Sequence, residues 1–328
     1  MTTHPDGLDG WRRTVVQGLR DAVGSWRGDL RPLADELVAH FGAVLARGDG
    51  SQVAAVSVPV AVFAGLRGHE PPGWLTAAAG ATYLAWDLLD DEMDGDPVPF
   101  WRDRSTADRT IGAHLLIATA AAQPGLAADP ATAPELTRVY LDMVATVTAG
   151  QLRAENPLEP GTTPESVAAG NDARSGDMLA GLAEMAAIAA GAGADARVAL
   201  ARCGRELALA RQLVNDLTEL ESGGTSDLRN RTATMTAAFA LQRTPAAGRA
   251  ALLDRLHAAA SDPDLCRRMI DGELAPARAD TRMLARLHLA EATRLANSTI
   301  HHPFGRMMMT ALVTYTADVL IERAPRRP

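Results

Sequence analysis

The sequence predicts an all-α fold: one domain of ten or more helices. Three observations lead there. Hydrophobic residues make up 47% of the 328-residue chain, chiefly Ala, Leu and Val, with aromatics at only 4%. Ala is the strongest helix former, so a chain enriched in it favours helices. Gly and Pro cluster between long stretches of helical periodicity. No alternating apolar–polar run is long enough to build a sheet.

The helical patterns run over 9–26, 30–47, 52–66, 74–95, 105–122 and 131–154, then 164–192, 195–222, 232–242, 246–260, 275–297 and 303–323. Turn chemistry separates them: Pro71-Pro72-Gly73, Pro97 with Pro99, Gln123-Pro124-Gly125, Asn156-Pro157 and Gly223-Gly224. None of these breaks is long or biased enough to serve as an interdomain linker. Residues 1–328 therefore read as a single domain, a size one helical core can reach.

Charge narrows the function. The net charge is −8, and all 32 basic residues are Arg, with no Lys. A nucleic-acid partner would call for a basic surface, so that class is set aside. Cys203 and Cys266 make no disulfide framework and fit a reducing compartment. The N-terminus lacks signal-peptide features, and the longest apolar stretch, Val53 to Leu66, carries Ser57 and Pro59 and is too short to span a bilayer. The expectation is a soluble cytoplasmic protein without a transmembrane segment.

Two acidic faces stand out. In YLAWDLLDDEMDGD, Asp87, Asp90, Asp91 and Asp94 fall at i, i+3, i+4 and i+7, on one face of a helix. Like charges one turn apart repel, and acidic groups near a helix C-terminus also oppose its dipole. One reading is a solvated helix end, since Gly95 and Pro97 follow at once. The other is a hard-cation site, whose shared Mg²⁺ leaves coordination positions open for phosphate oxygens. Farther on, Gln212, Asn215, Asp216 and Glu219 repeat the spacing with oxygen-bearing side chains, and Asp227, Arg229 and Arg231 follow. Opposed across a cavity, two such faces could hold several Mg²⁺ ions around one diphosphate.

With these motifs in order, the chain resembles the trans-prenyl diphosphate synthases, the polyprenyl synthetase family of class I isoprenoid synthases, as a divergent member. Asp90-Asp91-Glu92-Met93-Asp94 is similar to that family's DDxxD motif. Gln212 to Glu219 is similar to its second motif, QxxDDxxD, with Asn and Glu at two Asp positions. Gly150-Gln151 resembles its Gly-Gln, Arg174-Ser175-Gly176 its Lys-Thr-Gly, and Ser226 to Thr232 the segment after the second motif.

The resemblance implies a helical bundle around a central apolar cavity, with Mg²⁺, about three ions, as cofactor. It implies an allylic prenyl diphosphate as substrate. Asp90, Asp91 and Asp94 would ligate metal from one side, and Asn215, Asp216 and Glu219 from the other. Arg174, Arg229 and Arg231, with Gln151 and Gln212, would bind the diphosphate; the guanidinium fork suits that task. Tyr83 and Trp86, two turns and one turn below Asp90, are either core or the wall that limits the prenyl chain. Met307, Met308 and Met309 read as packing, and His301 with His302 as an exposed helix start. Homodimers are common in the family and are implied to the same extent.

Departures from the family pattern carry information too. Elongating members bind isopentenyl diphosphate through a basic Gly-Lys-Arg segment, whereas Ala46 to Gln52 here keeps Arg47 alone and gains Asp49. The Arg pair that normally follows DDxxD is displaced to Arg102 and Arg104. The expected reaction is ionisation of a C10–C20 allylic diphosphate and prenyl transfer to an acceptor other than isopentenyl diphosphate. The Asn-Asp second motif is similar to that of peptide and natural-product prenyltransferases. A terpene cyclase is the alternative, although Asn215 is followed at its motif spacings by Glu219 and Gly223 rather than by Ser or Thr and then Glu. A non-catalytic subunit of a heteromeric synthase is a third reading, opposed by the intact first motif.

Overall fold

A computed structural model describes residues 7–46, 50–95, 99–127, 129–154, 157–222 and 226–322. Among these, helices and turns account for the regular structure and no strand occurs. The helices, in chain order, begin with α1 (Gly7–Val23), α2 (Arg31–Ala46), α3 (Gly50–Arg67) and α4 (Gly73–Asp94). Next come α5 (Pro99–Arg102), α6 (Thr106–Ala122), α7 (Ala133–Ala154) and α8 (Pro164–Asn171). Then follow α9 (Asp177–Ala189), α10 (Ala194–Ser222), α11 (Ser226–Asn230) and α12 (Met235–Arg243). The last are α13 (Arg249–Ala259), α14 (Pro263–Asp271), α15 (Ala275–Thr299) and α16 (Pro303–Glu322).

Every helix expected from periodicity is present. The stretch read as one helix over 164–192 is interrupted by a π turn at Asp172–Gly176. Three short helices, α5, α11 and α14, lie between the expected ones. Of these, α14 carries a clear start signal: the Asp262 side chain accepts the N–H groups of Asp264 at 3.1 Å and Leu265 at 2.9 Å, and Pro263 fills the first turn. At nine residues it is too short for a periodic pattern to declare itself.

Two compact units make up the chain. The first comprises Met1–Asp142, Gly181–Ala201 and Ala296–Leu312. Its central element is α4, which packs on α1, α3 and α6. The run Trp74 to Ala85 is buried on every side, as its sequence of Ala, Leu and aromatic residues demands. Small residues set the spacing: a Cβ on Gly18 would lie 2.6 Å from Thr76 Oγ1, and one on Gly80 3.1 Å from the Phe41 ring. Thr82 donates to the Tyr140 hydroxyl at 3.3 Å, and burial pushes that phenol up to about 12. At another crossing in this unit, Gly305 of α16 meets the backbone of Ala61 and Gly65 in α3 with no room for a side chain. There the Gly65 carbonyl accepts the N–H groups of His301 at 3.2 Å and His302 at 2.9 Å, two exposed residues at the start of α16.

The second unit comprises Met143–Ala180, Arg202–Leu295 and Val313–Pro328. Leu158, Leu241, Leu252, Leu256, Met269 and Leu274 form a buried cluster within it. Glu221, in the last turn of α10, accepts from Arg278 at 2.7 and 3.1 Å and also from Arg282, both on α15. Both cysteines are buried and form no disulfide. No helix among the described residues is long and apolar enough to cross a membrane.

Gly305→Ala should cost about 1–3 kcal/mol through overpacking. Thermal melts should show a clear loss, with Gly125→Ala, which faces open space, as the silent control. A wild-type melting temperature for Gly305→Ala would refute the close α3–α16 contact.

Candidate functional site

The first acidic face lies where α4 emerges from its packed environment. Leu88 is the last fully buried residue; Asp87 and Asp91 are half-buried and Asp90 is exposed. The side chain of Asp94 lies outside the described residues, as do Arg47 and residues 96–98. Gly95 ends the helix in the left-handed conformation (φ 71°) and donates to the carbonyls of Asp91 and Glu92. Tyr83 is buried 6.2 Å from the Phe41 ring and donates to Asp87 Oδ1 at 3.0 Å. Trp86 is half-buried, and its indole N–H meets no acceptor among the described residues.

Glu92, between the aspartates, is committed elsewhere. Arg109 of α6 binds it through Nε and, at 3.0 Å, through Nη2, and holds its carboxyl below the usual carboxylate range. The same arginine donates to the Arg104 carbonyl at 2.7 Å, tying the end of α4 to the segment after α5. Of the displaced arginines, Arg102 is exposed, whereas Arg104 pairs with Glu36 and stands 5.9 Å from the centroid of the Trp101 ring.

In the second unit, α10 brings together residues distant in sequence. Asp216 is buried and accepts from Gln212 Nε2 at 2.9 Å, and Gln212 Oε1 accepts from Ser175 at 2.9 Å. Desolvation pushes the Asp216 carboxyl up to about 6. The Gln212 amide, the positive charge of Arg174 and the Met235 N–H act in the opposite direction, and Glu219 adds to the rise. Arg174 in turn donates to the buried Asn171 at 3.4 Å. A cavity of about 20 Å³, the size of one water, lies between Asp216, Glu219 and Asp227.

Glu219 accepts from the Ser226 hydroxyl and, at 3.1 Å, from the Asp227 N–H. Asn215, Arg229 and Arg231 are exposed, and Gln151 is buried. Arg231 occupies the left-handed region (φ 56°), and its carbonyl accepts the Leu158 N–H at 2.7 Å.

The neighbouring glycines explain two local motifs. A Cβ on Gly150 would come within 2.7 Å of the Ala173 carbonyl carbon and 2.8 Å of the Arg174 nitrogen. Only glycine lets α7 approach the π turn that carries Arg174 and Ser175 so closely. Sequence reasoning missed Asn171 and the hydrogen bond from Ser175, because that contact spans 37 positions and leaves no local periodic signal.

The described donors on both faces are oxygens, which suit a hard cation. Asp216 supplies the sharper fit, since a desolvated carboxylate with a raised pKa gains from a nearby divalent charge. Its burden on the metal-free protein follows from sign. The raised pKa means stability contributed by the protonated group is present below the ordinary value of 3.8 and is lost as pH rises through about 6. Asp216→Asn should therefore raise metal-free stability at pH 8, on the order of 1–2 kcal/mol, with little gain at pH 4. Melts in chelator at both pH values check this. An equal gain at both would sink it.

No protein-family model and no curated protein sequence matches the chain. Solved structures do. A polyprenyl synthetase from Streptomyces coelicolor A3(2) matches at TM-score 0.71 and 21% identity, over 94% of this chain and 98% of that one. Geranylgeranyl pyrophosphate synthetase from Pyrococcus horikoshii Ot3 matches at TM-score 0.74 and 16% identity, over 95% and 97%. A polyprenyl synthase from Caulobacter crescentus CB15, solved with calcium and isoprenyl diphosphate, matches at TM-score 0.70 and 20% identity, over 94% and 93%. The chain has the all-α fold of these prenyl synthases.

Proposed function

We propose that residues 1–328 form one catalytic domain, a Mg²⁺-dependent class I isoprenoid synthase. It ionises an allylic prenyl diphosphate and passes the prenyl group to an acceptor other than isopentenyl diphosphate. The observation that carries this reading is Asp216. A carboxylate kept buried at a cost to stability, braced by Gln212 and Ser175 and close to Arg174, suits a ligand that brings positive charge. The fold shared with prenyl synthases supports the same conclusion.

Each residue then has a task. Asp90, Asp91 and Asp94 supply oxygen ligands from α4, and Asn215, Asp216 and Glu219 supply them from α10. Mg²⁺, when bound, offsets the charge that develops on the departing diphosphate. Arg174, Arg229 and Arg231 hold diphosphate oxygens, with Gln151 and Gln212 beside them. Trp86 and Tyr83, on α4 below the carboxylates, face the prenyl chain and keep water from the cation it leaves. The choice of acceptor rests on the arginines after the first face. Of the displaced pair, Arg102 is exposed and Arg104 is bound to Glu36, which supports the reading that the two do not act together as a second diphosphate site.

Asp90→Ala and Asp216→Ala should each abolish pyrophosphate release from geranyl, farnesyl and geranylgeranyl diphosphates while the circular dichroism spectrum stays helical. Near-wild-type turnover in either variant, or full activity in excess chelator, would reject the metal site. Supplied with farnesyl and isopentenyl diphosphates together, the enzyme should yield almost no elongated product. Efficient elongation would return it to the ordinary synthases. A cyclic hydrocarbon formed without any added acceptor would instead favour the cyclase reading.

Trp86→Ala should shift the turnover ratio toward geranylgeranyl over farnesyl diphosphate, because the pocket gains most of an indole. A merely structural tryptophan predicts a loss of about 3–5 kcal/mol in stability with unchanged ratios. Melting temperature and the two turnover numbers, measured side by side, separate these outcomes.

A further inference from the structure

The π turn at Asp172–Gly176 carries Arg174 and Ser175, and something must hold it open. A π turn closes its ring from i to i+5, one residue wider than an α-helix, and it is uncommon because helical backbones relax to the i to i+4 bond. Here the N–H of Asp177 reaches the carbonyl of Asp172, which is the wide closure.

The side chains around the turn show what selects it. Arg205 of α10 places Nη1 at 2.8 Å from both Asp172 oxygens, and its Nη2 binds Asp177 Oδ1. In an α-helix, residues five apart are rotated by about 140° around the axis, so two such carboxylates point to different sides. In the i to i+5 closure they return to one side, where one guanidinium can bridge them. The bridge is therefore compatible with the wide turn and not with the narrow one. Gly176 belongs to the same device: a Cβ there would sit 2.7 Å from Asp172 Oδ1 and 3.3 Å from Arg205 Cγ, in the path of the bridge.

We infer that Arg205 is a positioning residue for the diphosphate site: by clamping Asp172 and Asp177 it fixes the π register that presents Arg174 and Ser175 to Gln212 and Asp216. The inference rests on the proposed function for its catalytic consequence, although the clamp itself does not. If the turn relaxed to α, residues on one side would rotate by about 100° relative to the other. Ser175 would leave Gln212, which orients toward Asp216 at 2.9 Å. Arg205 lies seven residues before Gln212 on the same helix, so the clamp and its beneficiary share one rigid support.

The test uses the full chain and two independent readouts. Amide hydrogen exchange over residues 168–180 is measured for wild type, Arg205→Ala and Arg205→Lys. Pyrophosphate release from geranylgeranyl diphosphate with Mg²⁺ gives KM and kcat for each. In Arg205→Ala the amides of 172–177 should exchange about tenfold faster or more, while protection of the α15 amides stays at the wild-type level. KM should rise about tenfold to a hundredfold, the scale of a small misplacement of binding groups, with a smaller change in kcat. Arg205→Lys can satisfy one carboxylate at a time and should fall between. Unchanged exchange over 172–177 overturns the clamp. Faster exchange with wild-type KM overturns its role in positioning. If wild type releases no pyrophosphate from any allylic diphosphate, the proposed function fails, and the exchange data still decide the clamp. Should Arg205→Ala fail to fold, Asp177→Ala removes one contact only and must loosen the same amides.

Discussion

Carboxylates held away from water at close spacing must each find a donor or a cation, or the fold loses stability. That constraint organises the surroundings of α10. Asp216 is braced by Gln212 and by the Met235 N–H, Glu219 by Ser226 and Asp227, and Glu221 by Arg278 and Arg282. Three acidic residues in two turns thus receive three different solutions. Glu221, matched by two fixed guanidinium groups, is structural. Glu219 binds the first turn of α11. Asp216, buried with amide donors and a nearby guanidinium but still pushed toward protonation, is the one whose needs remain incompletely met, and functional sites accumulate such residues.

The same logic applies to α4. Its first turns are buried on every side, so their side chains are decided by packing, and its last turns carry the acids. Glu92 sits among Asp90, Asp91 and Asp94 in sequence but is withdrawn from them by Arg109. A run of five residues that looks uniform in the sequence is therefore divided between two roles by one arginine of α6.

Much of this was legible in the residues. Helical periodicity found every long helix, because an Ala-rich chain punctuated by Gly and Pro states its elements locally. The acidic spacing on α4 and α10 was equally local. What escaped depends on contacts between distant positions. The π turn is invisible to a 3.6-residue period, since it adds one residue without changing composition. The Ser175–Gln212 bond and the Arg205 bridge join positions 37, 33 and 28 apart. Gly150 and Gly176 are visible in the sequence as parts of two family-like motifs, but the backbone and carboxylate that fill their space appear only in the fold. The asymmetry has a physical origin: propensity and periodicity act within a turn or two, and side-chain networks act across the fold.

The complete absence of lysine gives these networks an alkaline tolerance. An ammonium loses its proton near pH 10.4, whereas a guanidinium keeps its charge beyond pH 12. Every cation that pairs in the bridges to Glu92, Asp172, Asp177 and Glu221 is an arginine. As pH climbs, no amine side chain exists to discharge, so these bridges keep both partners ionised where a lysine-built relative would begin to lose its own. Burial works against the charge on Arg205, but the two carboxylates beside it outweigh that and push its proton affinity above the ordinary value. The internal ion pairs of this chain thus have a wide upper margin in pH.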